Sequence, residues 1–163
     1  MILYVTDANI FIDLLYAGLL KLMPKLGLSI VTTQLVVEEL NDEQQIELQS
    51  LVDTNTLEIF EMTIEEIRGI SLPAGLSLPD RSVICLAIRE SGVLVSGDGL
   101  VRRTAGSLGI DVRGLLWLLD EFVSTKLISC LEAAEKLEFL VVEKGSRQPN
   151  SEYNARLERW RTM

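Results

Sequence analysis

Histidine is absent from all 163 residues. That single absence removes imidazole general bases, Ser-His-Asp triads, Cys-His pairs and His-ligated zinc. Cysteine is scarce. Cys85 and Cys130 each lie in an apolar helical pattern with no second Cys at ligand spacing. Both are expected as buried thiols rather than as a disulfide or a thiolate metal centre. No apolar run reaches membrane-spanning length, and the opening Met1–Asp7 has neither the basic flank nor the long apolar stretch of a secretory signal. The expectation is a soluble, cytoplasmic protein with no membrane partner. Basic residues are in the minority, 15 against 24 acids, and the net charge of −9 argues against a broad surface that coats nucleic acid. Any hydrolytic chemistry must run on carboxylates, hydroxyls, lysine or a hard metal ion.

What is present is an ordinary globular composition, 48% apolar and 24% charged, in a length that suits one domain with a substantial core. The charge is unevenly spread. Residues 144–163 carry Lys144, Arg147, Arg156, Arg159 and Arg161 against Glu152 and Glu158, a net of +3 that leaves −12 on residues 1–143. The expected organisation is an acidic body over 1–143 and a basic tail helix over 144–163 that belongs to the same domain. Such a tail could hold a phosphate chain locally.

Hydrophobic periodicity sets the element order. Strands are predicted at residues 2–6, Leu28–Thr33, Thr56–Phe60, Val93–Val95 and Ile110–Val112, each a short apolar or β-branched run. Between them, helical spacing is read at 9–17, Gln34–Leu40, Asp42–Leu51, Thr63–Ile70, Pro79–Ser91 (stopped by Gly92) and Leu100–Leu108. Two helices follow at Leu115–Phe122 and Thr125–Leu137. The last helix carries Tyr153, Leu157 and Trp160 as an apolar stripe suited to packing on the core. Strand alternating with helix predicts an α/β fold: a three-layer α/β/α sandwich around a central parallel sheet. In such open sheets ligands gather at the carboxyl ends of the strands.

Four acids stand at or near those ends. Asp7 directly follows the first strand in Val5-Thr-Asp-Ala-Asn9, where it could also serve as a helix N-cap. Glu39 lies in the helix after the second strand; adjacent Glu38 points about 100° away, so one of the two is expected to face a common site. Asp80 fits a capping box with Ser77 at a helix entrance. Asp98 follows the fourth strand in Val95-Ser-Gly-Asp-Gly99. Asn9 and Ser96 could support these carboxylates, and Arg81, Arg102 and Arg103 could contact phosphate. Each acid alone has an ordinary structural explanation, so the argument rests on the set. Carboxylates about 5 Å apart repel by roughly 3 kcal/mol per ionised pair at an effective dielectric of about 20. Gathering four on one rim requires protons or a cation. Oxygen-only donors favour Mg²⁺ or Mn²⁺ over Zn²⁺.

Four segments carry a family likeness: Val5-Thr-Asp7-Ala-Asn9-Ile-Phe-Ile-Asp-Leu14, Val37-Glu-Glu39-Leu40, Leu78-Pro-Asp80-Arg-Ser-Val-Ile-Cys-Leu-Ala-Ile88 and Leu94-Val-Ser96-Gly-Asp98. With these the chain resembles the PIN-domain family, in particular the VapC-like toxins of toxin–antitoxin pairs. The tail from Arg147 to Trp160 is similar to the end of some bacterial PIN proteins. The resemblance implies an α/β/α sandwich and Mg²⁺- or Mn²⁺-dependent endoribonuclease activity. It places Asp7, Glu39, Asp80 and Asp98 as catalytic, metal-holding acids and Ser96 at a small hydroxyl position. It further implies an RNA substrate, an antitoxin protein partner and a homodimer. Two rivals stand beside it. A haloacid-dehalogenase-type phosphatase would need an aspartate where Asn9 stands. A PIN-like module that binds RNA or protein with weak or lost cleavage is the alternative from a different class.

Overall fold

A computed structural model describes residues 1–163 and contains a five-stranded, all-parallel sheet of order β3-β2-β1-β4-β5. The strands are β1 (Leu3–Thr6), β2 (Ser29–Thr33), β3 (Leu57–Phe60), β4 (Val93–Val95) and β5 (Val112–Arg113). The helices are α1 (Ala8–Tyr16), α2 (Gln34–Glu39), α3 (Asp42–Asp53), α4 (Ile64–Arg68), α5 (Leu78–Glu90), α6 (Gly99–Ser107), α7 (Leu115–Ser124), α8 (Cys130–Val142) and α9 (Asn150–Thr162). The predicted α/β sandwich with a central parallel sheet is the observed fold. No helix is long and apolar enough to cross a membrane.

The chain builds β1, β2 and β3 outward in one direction, then returns to add β4 and β5 on the other side of β1. The order therefore reverses between β1 and β4, where parallel α/β sheets open a crevice at their carboxyl ends. Thr6 pairs with Val95, and the Asp7 amide donates to the Val95 carbonyl at 3.2 Å. The residues that follow β1 and β4, Asp7 and Ser96-Gly97-Asp98, are thus neighbours by construction.

Helix α5 is the central support. Six consecutive residues, Ser82 to Ala87, are buried, as expected of a helix enclosed on all sides rather than lying on a surface. Its one buried hydroxyl is fully used. Ser82 donates to the Pro79 carbonyl at 2.6 Å and accepts from Thr33 Oγ1 at 2.7 Å, while Thr33 Oγ1 accepts from the Val36 amide at 3.2 Å. This chain of bonds fixes the start of α5, which carries Asp80, to the start of α2, a short helix whose last residue is Glu39. The tail helix α9 closes the structure by burying Leu157 and Trp160 in the core, with Tyr153 packed at its edge.

Several boundaries differ from the sequence expectation, each for a local reason. The helix predicted from Thr125 begins at Cys130, because Ser129 and Glu132 form a capping box and Lys126 adopts a positive φ of 60°. Cys130 is then the first residue of α8 and is partly exposed rather than buried; Cys85 is buried, and both thiols are free. Helix α5 ends at Ser91, which takes the left-handed conformation at φ 52°. Gly92 serves another need: a Cβ there would lie 2.9 Å from the Leu3 carbonyl oxygen. The fifth strand is Val112–Arg113, displaced toward its carboxyl end, and a 3-10 segment at Leu20–Leu26 containing Pro24 was not anticipated.

Candidate active site

Asp7 is the only buried carboxylate of the chain, 6% exposed. It N-caps α1, its Oδ1 accepting from the Ile10 amide at 3.2 Å, and its Oδ2 accepts a short hydrogen bond from the Ser96 hydroxyl. Ser96 Oγ in turn accepts from the Asp98 amide at 3.2 Å. The one buried serine after β4 therefore clips the loop that bears Asp98 to the carboxylate that follows β1. Asp98 caps α6 through Oδ1, accepting from the Val101 amide at 2.9 Å. Asp80 is the third residue of the α5 capping box, its Oδ2 accepting from the Ser77 amide at 3.3 Å. No hydrogen bond within the chain engages Oδ1 of Asp80 or Oδ2 of Asp98.

Electrostatics tie the set together. Burial raises the Asp7 carboxyl to about 7 despite the lowering effect of the Ser96 and Ile10 bonds, and the charges of Asp80 and Asp98 push it further up. Glu39 is raised by partial desolvation and then by Asp80. None of the four acids forms an ion pair with a lysine or arginine. The rim is a self-repelling group of oxygen donors without internal countercharge.

The acids gather without closing into a cage. Nowhere do three Asp, Glu, His or Cys side chains stand close enough to hold one ion in common. The expectation that all four meet within coordinating reach is in that respect too strong. Asp80 and Asp98 each turn one oxygen onto the start of their own helix and leave the other without a partner in the chain. The donor set nonetheless fits a hard divalent cation, because it is all oxygen, keeps free oxygens on Asp80 and Asp98, and forms no ion pair with Lys or Arg.

The supporting residues divide. Ser96 is buried between Asp7 and Asp98 as described, whereas Asn9 is exposed on the first turn of α1. Two of the three arginines singled out for phosphate are engaged with the backbone. Arg81 donates Nε to Leu76 O at 3.2 Å and Nη2 to Pro73 O at 2.7 Å, pinning the loop before α5. Arg102 Nη1 donates to Ser96 O at 2.7 Å and Arg113 O at 3.0 Å, stapling the ends of β4 and β5. Arg103 remains exposed alongside Gly99. Lys144 and Arg147, which the sequence marked only as two of five basic residues in a tail able to hold a phosphate chain, line a cleft with Asn9 and Asp98. Their basic character within an acidic chain was the available signal.

A family model described as PIN domain matches residues 3–162. The chain belongs to the PIN-domain family. Two solved structures share the PIN fold with it. A PilT N-terminus domain protein, SSO1118 of Sulfolobus solfataricus P2, is 14% identical at a TM-score of 0.50, over 76% of this chain and 93% of that one. A domain of a functionally unknown protein from Methanocaldococcus jannaschii is 20% identical at a TM-score of 0.50, over 71% of this chain and 91% of that one. VapBC2 of Rickettsia felis, solved with a DNA fragment from its promoter, is 16% identical at a TM-score of 0.45, over 69% of this chain and 98% of that one. No curated protein sequence matches this PIN chain.

Proposed function

We propose that this PIN-domain chain is a Mg²⁺- or Mn²⁺-dependent endoribonuclease that hydrolyses RNA phosphodiester bonds. The observation that carries the reading is the buried Asp7 at the β1–β4 switch point, clipped through Ser96 to the Asp98 loop and repelled by Asp80 and Asp98. Asp7, Asp80 and Asp98 would hold the ion, with Glu39 as a further ligand or as the group that orients the attacking water. When bound, a divalent cation supplies a Lewis acid for phosphoryl oxygens and a more acidic water. The chain's own part is positional. Ser96 holds the Asp7 carboxylate in one orientation, the α5 capping box holds Asp80 at the rim, and the exposed Asn9 offers an amide to substrate or solvent. The sequence resemblance carries the further proposal that the chain is the toxin of a toxin–antitoxin pair, cytoplasmic and homodimeric.

Incubation of defined RNAs with Mn²⁺ tests the reading. The parent should cleave and Asp98→Asn should not; equal cleavage by both removes Asp98 from the site. The open spacing of the acids favours one alternative, a PIN-like module that binds RNA or protein with little cleavage. Titrating Mn²⁺ against melting temperature separates the two, because an ion that binds only the folded chain raises its stability. A pure binding module would not respond.

A further inference from the structure

The five basic residues of the tail are not equivalent. Arg156 donates Nε and Nη2 to Oδ2 of Asp120 at 3.2 and 2.8 Å, and Arg159 donates to Oδ1 of the same carboxylate at 2.7 Å. Arg161 pairs with Glu138 on α8 at 2.5 Å. These three arginines fasten α9 to α7 and α8. Lys144 and Arg147 have no acidic partner within 4.0 Å. The Lys144 ammonium rests over the Tyr16 ring at 4.4 Å instead.

The loop that carries these two cations is held beside the acidic rim. Gly145 turns the chain out of α8 at φ 70°, and the Ser146 amide donates to the Leu140 carbonyl at 2.9 Å. Ser146 Oγ donates to Asp13 Oδ2 at 3.2 Å and accepts from Gln148 Nε2 at 3.0 Å. Asp13 stands one turn beyond Asn9 on the same side of α1. The loop is thereby latched to the helix that begins at Asp7. Between them lies a cleft of about 400 Å³, bounded by Asn9, Asp13, Asp98, Lys144 and Arg147. A second cleft of about 340 Å³ shares Gly97 and Gly99 with the first and is lined also by Arg102 and Arg113. Arg147 and Gln148 belong to the walls of both. The intervening ridge is open at Gly97, where a Cβ would meet nothing within 4 Å, while the Arg103 guanidinium lies 3.1 Å from where a Cβ of Gly99 would stand.

We propose that the 144–148 loop is the phosphate-holding wall of the substrate cleft, with Arg147 gripping a phosphodiester next to the one that is cleaved. The inference rests on the nuclease reading and deepens it. A body of net charge −12 repels a polyanion, so binding needs cations that are free of internal partners and close to the reacting rim. Arg147 meets both conditions, and the planar guanidinium matches two phosphate oxygens at once. The tail's role is thus split: three arginines fasten it, and one arginine with one lysine faces the cleft.

The test uses the full chain and a fluorescently labelled single-stranded RNA with Mn²⁺. It compares the parent, Arg147→Ala, Arg147→Lys and Arg161→Ala. The last variant loses the same charge outside the cleft. Arg147→Ala should raise KM about tenfold or more, the size expected for a charge-assisted hydrogen bond, and leave kcat within about twofold. The slope of log affinity against log salt should lessen by about 0.7, one phosphate contact on a single strand. Arg147→Lys should fall between, and Arg161→Ala should match the parent. Arg147→Ala behaving as Arg161→Ala in KM and slope overturns the proposal while leaving the nuclease reading intact. If no protein cleaves, anisotropy decides. Affinity lost in Arg147→Ala alone supports Arg147 as a phosphate contact but overturns the nuclease reading and, with it, the place of that phosphate beside a cleaved one, whereas equal affinities, or no binding, remove both.

Discussion

Replacing Asp7 with Asn removes the only carboxylate the fold buries, and its consequence for stability can be worked from the structure. The folded carboxyl titrates near 7, against 3.8 for the same group in the open chain. Each tenfold change in proton affinity corresponds to about 1.4 kcal/mol, so holding Asp7 ionised in the fold costs about 4 kcal/mol relative to the unfolded chain. The sign follows from proton uptake. Between these two values the folded state binds more protons, so stability is fully present below about 4 and declines until pH passes about 7. Asn carries no charge to desolvate and can still cap α1 by accepting from the Ile10 amide. It cannot accept the Ser96 hydroxyl in the same way, a loss of about 1 kcal/mol. Above pH 7 without divalent metal, Asp7→Asn should therefore be about 2–3 kcal/mol more stable than the parent. At about 2–4 °C per kcal/mol for a chain of this size, its melting temperature should stand about 5–10 °C higher. Below pH 4 the advantage should vanish. The assay is differential scanning calorimetry from pH 3.5 to 8.5 in chelator. A variant less stable than the parent at pH 8, with the same pH slope, would refute the buried, self-repelling Asp7.

The remaining predictions concern the clip and the tail. Ser96→Ala removes a hydrogen bond that lowers the Asp7 carboxyl, so the pH at which stability finishes declining should move upward; an unchanged melting profile against pH would remove Ser96 from the site. Trp160→Ala should cost about 3–5 kcal/mol in urea unfolding, as expected for a large buried aromatic. A cost below about 1 kcal/mol would mean that α9 is not part of the core.

Much of this was legible in the chain because strand ends are. Apolar runs ending in Asp7 and in Ser96-Gly97-Asp98 mark where a parallel sheet presents its rim, and alternation of strand and helix dictates that the sheet is parallel. The capping box at Ser77 was readable too, since its spacing is local. The fates of Arg81 and Arg102 were not. Their partners are backbone carbonyls at a loop and two strand ends, and no side-chain pattern records which carbonyls are left unpaired. The start of α8 was misjudged because apolar periodicity across 125–137 overrode the Ser129–Glu132 box. Arg147 approaches Asp98 only through the packing of α8 and α9 and the Asp13–Ser146 bond, a long-range outcome with no local signature.

The central claim is that the carboxylates of Asp7, Asp80 and Asp98 are a divalent-cation site. Anomalous diffraction from crystals soaked in Mn²⁺ tests it most directly. The account predicts a manganese peak contacted by oxygens of these residues, absent from Asp98→Asn crystals treated alike. A peak only elsewhere, or none at manganese concentrations that support RNA cleavage, contradicts it.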